Sequence, residues 1–175
     1  MADIKLLGND DQSWDTVQAA NYFQIEKFQA VKSGTVTMIK IYGYAKTNIK
    51  LAIYSDNAGA ADALLASATG YVNASDSWFA ISFPKTNVSA GTYYWLAHCV
   101  EVNYTPYAIS SGGTAKYKSV LYSSFTFPNP AGSSGWTNDT WRFALAGWGA
   151  ESAGGSNIEL VGAGLCGGRF GRLVT

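Results

Sequence analysis

The chain holds one histidine, His98, followed directly by one of its two cysteines, Cys99, in "WLAHCV". A histidine and a thiol could form a nucleophilic dyad if their side chains converged. Neighbours on a strand point to opposite faces, and His98 shares its parity with Tyr94 and Leu96. The expectation is therefore a core or sheet-face histidine beside a buried thiol. No nucleophile-elbow serine motif occurs. A glycosidase would need paired carboxylates. Asp10, Asp11, Asp15, Asp56, Asp62, Asp76 and Asp139 instead fall mostly in turn segments, where aspartate bonds the local backbone. No catalytic residue is assigned, the chain is expected not to be an enzyme, and no cofactor is implied.

The stretch "LAIYSDNAGAADALLASATG", residues 51–70, raises the question of a metal. Asp56, Asn57 and Asp62 offer oxygen ligands of the kind calcium takes. Their spacing lacks the acidic density of an EF-hand loop. The bend reads as an Asx-type turn between strands, with Gly59 supplying a conformation other residues resist. Asp56 and Asp62 stand only as weak metal candidates, and no metal is assigned.

Aromatic residues are the strongest chemical feature. There are six Trp, eleven Tyr and eight Phe, and some fall where burial is not obvious. Sugar rings stack their apolar faces on Trp and Tyr while Asn, Asp and Arg bond the hydroxyls. Tyr104 and Tyr107 flank Pro106 in "VEVNYTPYAISSGG", and Trp136 lies with Asn138 and Asp139 in "AGSSGWTNDTW". Both segments read as loops at a sheet edge, where binding residues concentrate. With Trp148 they form the candidate glycan-binding set. The competing role is plugging the core or forming a subunit interface, which Tyr and Trp also favour.

These residues must be positioned by strands. Period-two alternation pervades the chain, and helical periodicity is nearly absent. "NIKLAIYS" sets Ile49, Leu51 and Ile53 against Lys50 and Tyr54, and "SWFAISFP" aligns Phe79, Ile81 and Phe83 before Pro84 ends it. "GTYYWLAHCV" is apolar on both faces, as a central strand is. "TVTMIKIYGYA" has apolar residues of both parities and also reads as a buried strand. In "YFQIEKFQA" the parity switches between Phe23/Ile25 and Phe28/Ala30, which predicts a β-bulge near Glu26–Lys27. "SVLYSSFTFP" aligns Leu121, Phe125 and Phe127 as a strand; "TWRFALAGW" aligns Trp141, Phe143 and Leu145 against Arg142 and Trp148. "DTVQAANYF" is the one candidate helix. Clusters of Gly, Asn, Ser and Pro punctuate these segments. The fold class is all-β: one antiparallel sandwich of jelly-roll type over residues 1–150.

Composition bounds the partners. Of 175 residues only 14% are charged, and twelve basic residues balance twelve acidic ones. A neutral chain lacks the footprint for a nucleic-acid backbone, and no apolar run approaches the ~20 residues of a membrane helix. Neither nucleic acid nor membrane insertion is expected. "MADIKLLGNDDQ" has no basic region followed by an apolar one, so no secretory signal peptide is expected.

The run "IKLAIYSDNAGAADALLASATG…SWFAISFP…VSAGTYYWLAHCV" resembles β-sandwich modules carried by phage virion proteins and by bacterial extracellular proteins. The matching residues are Ile53 to Asp56, Leu64 to Ala66, Trp78, and Gly91 to Ala97. The resemblance covers roughly residues 30–100, and the bend departs from it in lacking a Pro after Gly59. It implies a sandwich fold and a place on a virion or extracellular surface.

Residues 151–175 differ from the rest. The segment is Gly-rich yet apolar, with Ile158, Leu160, Leu165 and Phe170 beside Arg169 and Arg172. A free tail would be polar. The segment either completes the sandwich as a last strand or reaches a neighbouring subunit as an assembly arm. Whether Cys99 pairs with Cys166 stays open. The first expectation is a structural or decoration module of a phage particle or fibre. Its partners would be itself, with a homotrimer fitting closed symmetry, and capsid or tail proteins. The second is a carbohydrate-binding module or adhesin for a cell-surface glycan.

Overall fold

The computed structural model describes residues 2–12, 16–17, 19–43, 46–73, 76–102 and 107–152, with Thr16, Val17 and Tyr107 described in backbone only. In chain order the strands are β1 (Ile4–Gly8), β2 (Thr16–Val17), β3 (Tyr22–Gln29), β4 (Gly34–Gly43), β5 (Thr47–Asn57), β6 (Ala60–Val72) and β7 (Ser77–Val88). They continue as β8 (Tyr93–Val100), β9 (Tyr107–Ile109), β10 (Ala115–Ser119), β11 (Thr137–Asp139), β12 (Arg142–Phe143) and β13 (Leu145–Glu151). Among the described residues there is no helix. The expected helix over "DTVQAANYF" is overturned: Thr16–Val17 pairs with β9, and β3 begins at Tyr22.

A four-stranded sheet of order β1-β13-β4-β7 lies against a six-stranded sheet of order β11-β10-β3-β8-β5-β6. A small sheet β12-β9-β2 adjoins them. All pairings are antiparallel. The space between the two large sheets is filled by Leu6, Val36, Ile39, Ile41 and Leu145 from one side and Ile49, Leu51, Ile53, Leu96 and Val100 from the other. The alternation expected for β5 and the two-faced burial expected for β8 are both observed. The β4 and β7 neighbours in one sheet enclose the β5–β6 hairpin of the other, so the chain crosses between layers before β5 and again after β6. The protein is an all-β antiparallel sandwich.

A second apolar layer lies outside the six-stranded sheet. Phe23, Ile25, Ala52, Tyr54, Trp95, Ala97 and Cys99 point outward and are covered by Phe125, Phe127, Ala131 and Trp136. The cover is the excursion 120–136, which contains no strand. The strand expected at "SVLYSSFTFP" is therefore corrected: only β10 precedes it, and Leu121 stays exposed. The cover is tied down through its backbone. Tyr54 Oη donates to the Pro128 carbonyl at 2.9 Å, and Lys50 Nζ donates to that of Tyr122 at 2.7 Å. The amide of Leu64 donates to Asn129 Oδ1 at 2.9 Å.

This cover explains the parity switch in β3. Gln24 through Gln29 pair with His98 through Tyr93 without a break in register, so the bulge expected near Glu26–Lys27 is absent. Phe23 and Ile25 face the covered outer layer, and Phe28 packs against the inner one. The bulge occurs instead in β4, where adjacent Gly149 and Trp148 of β13 oppose Val36 and Met38 and leave Thr37 as the extra residue. It reconciles Val36 with Ile39 and Ile41 on the inner face. The outer face of β4 is only half-buried, not the buried face expected. Strand β7 also runs on past Pro84, which edge position in the sheet permits.

Candidate functional site

The predicted glycan set is not brought together. Trp136 lies in the cover, its ring 4.8 Å from that of Phe23 and its indole N–H donating to the Gly132 carbonyl at 2.8 Å. It plugs the outer layer. Asn138 and Asp139 lie on β11 at the edge of the six-stranded sheet, and Asp139 Oδ1 accepts from the Thr140 amide at 2.7 Å. Tyr107 opens β9, while Tyr104 lies outside the described residues. Trp148 is on β13, in the other sheet. The assembly candidates Ile158, Leu160, Leu165, Arg169, Phe170 and Arg172, with Cys166, also lie outside the described residues.

The bend at residues 51–70 is a hairpin. Asn57 opposes Ala60, and Ala58 and Gly59 both have positive φ, 49° and 84°. That is the pattern of a two-residue turn matched to strand twist. Asp56 holds it, accepting the Gly59 amide at 3.2 Å with one oxygen and the Trp95 indole N–H at 2.8 Å with the other. The backbone carbonyl of Asp62 receives the Ala131 amide at 3.1 Å. Among the described residues no three His, Cys, Asp or Glu side chains converge as metal ligands.

His98 and Cys99 point to opposite faces, as parity requires. Cys99 is in the outer layer, and His98 is fully buried between the sheets with its ring 4.6 Å from that of Phe143. Its Nε2 bonds Gln24 Oε1 at 2.7 Å, and burial lowers its pKa to about 3. Nearby Glu26 is 1% exposed, and burial raises its pKa to about 8. The Phe143 amide donates to Glu26 Oε2 at 2.6 Å, and this bond with the Arg142 charge opposes the rise. Both groups are sealed from solvent, so their environment makes them structural.

Among the clefts that open on the sandwich, three bear on a site. The largest, about 480 Å³, runs between β6 and the cover, and its one charged group, Lys50, is already bound to cover carbonyls. A small one, about 150 Å³, is walled by Tyr22, Tyr117 and Trp141 over Gln24. The third, about 400 Å³, lies on the bare outer face of the four-stranded sheet, lined by Asp10, Gln12, Lys40, Trp78, Ala80 and Trp148.

The third cleft follows from strand register. Lys40 on β4 lies between Ala146 on β13 and Ala80 on β7, and these small residues keep the floor low on both sides of it. One strand position either way, on the same face, stand the indoles: Trp148 opposes Met38, and Trp78 opposes Tyr42. The result is a trough between two indoles, with the Lys40 side chain rising from its floor toward Trp148. Tyr42 holds Trp78 at 5.4 Å between centroids, tilted by 54°, and its hydroxyl donates to the Asp76 carbonyl at 3.4 Å. Lys40 Nζ lies 3.7 Å from the Trp148 ring centre. Asp10 at the rim pairs with Lys5. The Trp148 indole N–H is buried and meets no acceptor among the described residues.

The volume falls within the ~300–1,000 Å³ of ordinary ligand clefts. Of the residues at this cleft, sequence reasoning named Trp148 as a candidate and did not name Trp78, Tyr42 or Lys40. The available signal was the alternation of Lys40 and Tyr42 against Ile39 and Ile41, which sets them on the face opposite the core. No protein-family model matches the chain, and no curated protein matches it.

Proposed function

We propose that the chain is a non-enzymatic surface module that binds saccharide on the outer face of its four-stranded sheet. The observation that carries this is the trough itself, with Trp78 and Trp148 flanking Lys40 and Ala80 on a face that the excursion 120–136 does not cover. Indole faces stack on the apolar faces of pyranoses, and Asp10 and Gln12 at the rim supply hydrogen-bond partners for hydroxyls. A surface poor in charge and rich in Ser, Thr, Asn and Tyr suits an extracellular or virion setting. The test is a glycan array followed by titration calorimetry. Trp78→Ala should abolish binding and shift the unfolding free energy by less than about 1.5 kcal/mol, since the ring is half-exposed. Unchanged binding by that variant overturns the proposal.

The phage-structural reading coexists with this one and is favoured by a separate observation. Strand β13 already has β1 and β4 on its two sides, and its end is fastened by the Lys32–Glu151 pair and by the Ser152 amide bonded to the Ser33 carbonyl at 2.9 Å. The apolar segment that follows is not required to complete that pairing. We propose that it joins copies of the chain, or attaches it to capsid or tail proteins. Light scattering should give a closed oligomer, with a trimer expected, for the full chain and a monomer for a chain ending at Ser152. Equal masses overturn this assembly role.

A further inference from the structure

We infer that the saccharide bound in this trough is an acidic one, whose carboxylate is met by the Lys40 ammonium. The inference rests on the saccharide reading above and specifies the ligand class of the same site.

The argument begins with position. Lys40 projects from an interior strand of the sheet, beside Ala80, and its ammonium lies over the Trp148 ring at one wall of the trough. A ligand lying between the indoles must cover it. Covering an ammonium with neutral hydroxyls removes it from water with incomplete compensation, which is unfavourable. A carboxylate compensates fully, because the pair it forms is charge-assisted.

The charges around the trough leave Lys40 free to act this way. The ion pairs among the described residues are Lys5–Asp10, Lys32–Glu151 and Arg142–Asp11, and Lys40 belongs to none of them. Asp10 is the carboxylate lining the trough, and its charge is met by Lys5. Together Lys5, Lys40 and Asp10 leave one positive charge.

Two lysines of the opposite face show a contrast, while Lys27 and Lys116 there lie over the Trp95 ring as Lys40 lies over Trp148. Lys50 and Lys118 donate to carbonyls of the cover segment, at Tyr122 and Ala131, besides lying over rings. Among the described residues, the Trp148 ring is the contact Lys40 Nζ makes. A ring face attracts the cation and limits its wandering, but it uses the ammonium from one side. The remaining N–H donors are held in a restricted position, and such preorganisation lowers the entropy lost on pairing. Because Lys40 lies across Trp148, the sugar's apolar face falls to Trp78, which Tyr42 orients. The ligand that satisfies both ends is a pyranose carrying one carboxylate, as hexuronic and sialic acids do.

The test uses the full chain and two matched probe pairs: trigalacturonic acid against its methyl ester, and 3′-sialyllactose against lactose. Calorimetry should show at least one acid bound ten-fold or more tighter than its neutral partner, the pair that responds distinguishing uronic from sialic acid. Lys40→Met should remove that preference, and Lys40→Arg should keep it. The preference should also shrink as salt is raised from 50 to 500 mM. Equal binding of acid and neutral partners, or a preference that survives Lys40→Met, overturns the inference. In that event, loss of all binding in Trp78→Ala leaves the saccharide trough standing. Binding of none of the four probes overturns the inference, while the wider glycan array decides the trough separately.

Discussion

The two outer faces of this sandwich carry the same chemistry and use it differently. On the six-stranded sheet Lys118 lies 4.4 Å from the ring of Trp136; on the four-stranded sheet Lys40 lies 3.7 Å from the ring of Trp148. In the first pair every polar group has a partner in the chain. Lys118 donates to the Ala131 carbonyl, and the indole N–H of Trp136 to that of Gly132. In the second pair Lys40 has only the ring, and the Trp148 indole N–H meets no acceptor among the described residues. The difference is the excursion 120–136, which covers one sheet and not the other. Lys118 over Trp136 is thus a packing device under the cover, and under the proposed reading Lys40 over Trp148 is a binding one.

The contrast can be broken at its strongest point first. Phe23 is fully buried and touches the rings of Tyr54, Phe125, Phe127 and Trp136. Phe23→Ala should cost about 3–5 kcal/mol in urea unfolding, with saccharide binding by the remaining folded protein intact. A cost under about 1 kcal/mol would mean the outer layer is not a core.

A pair of tryptophan truncations sharpens it. Trp136→Ala should cost about 2–3 kcal/mol, from lost packing and the lost bond to Gly132, and leave binding unchanged. Trp78→Ala should do the reverse. Similar stability losses for both would erase the distinction between the faces.

The layer between the faces provides a control that should move stability alone. Glu26 has its pKa raised by burial from 4.5 to about 8, so the stability it contributes below pH 4.5 is lost as pH rises toward 8. His98 has its pKa lowered by burial from 6.5 to about 3, so stability is lost as pH falls below 6.5. Between pH 4.5 and 6.5 the two slopes oppose and cancel, giving a plateau. From pH 6.5 to 8 stability should fall by at most about 2 kcal/mol. Glu26→Gln keeps an oxygen for the Phe143 amide and should flatten that limb. A limb unchanged in the variant would assign it to another group.

The smallest effect belongs to the hairpin beyond both faces. Ala58 has a φ of 49°, in the left-handed region. Ala58→Asn should raise stability by about 0.5–1 kcal/mol in thermal unfolding, because Asn tolerates that conformation and suits the turn. A loss would mean that the Ala58 methyl group makes contacts that matter more than backbone strain.

Strands β5 and β8 were legible because their alternation and two-faced apolarity reflect burial directly. The parity switches were legible as events but not as causes. In β3 the switch between Ile25 and Phe28 comes from cover on both faces with an unbroken register. In β4 the similar mixture of Val36 with Ile39 and Ile41 comes from a bulge. Residue order is alike in the two cases, and only the neighbouring strands and the cover separate them. The candidate site was half-legible for a related reason. Trp136 and Trp148 look equivalent in a list of loop-flanking aromatics, and their roles diverge only when the path of residues 120–136 is known.

Local patterning alone therefore determined the all-β class, the inward residues of most strands, the burial of His98 and Cys99, and the turn at Asp56–Gly59. Each follows from backbone geometry and hydrophobicity acting over a few residues. Tertiary structure alone decided which outer face would be closed. It also brought Trp78, Lys40 and Trp148 into one trough, because strands distant in sequence become neighbours only through the register of the assembled sheet.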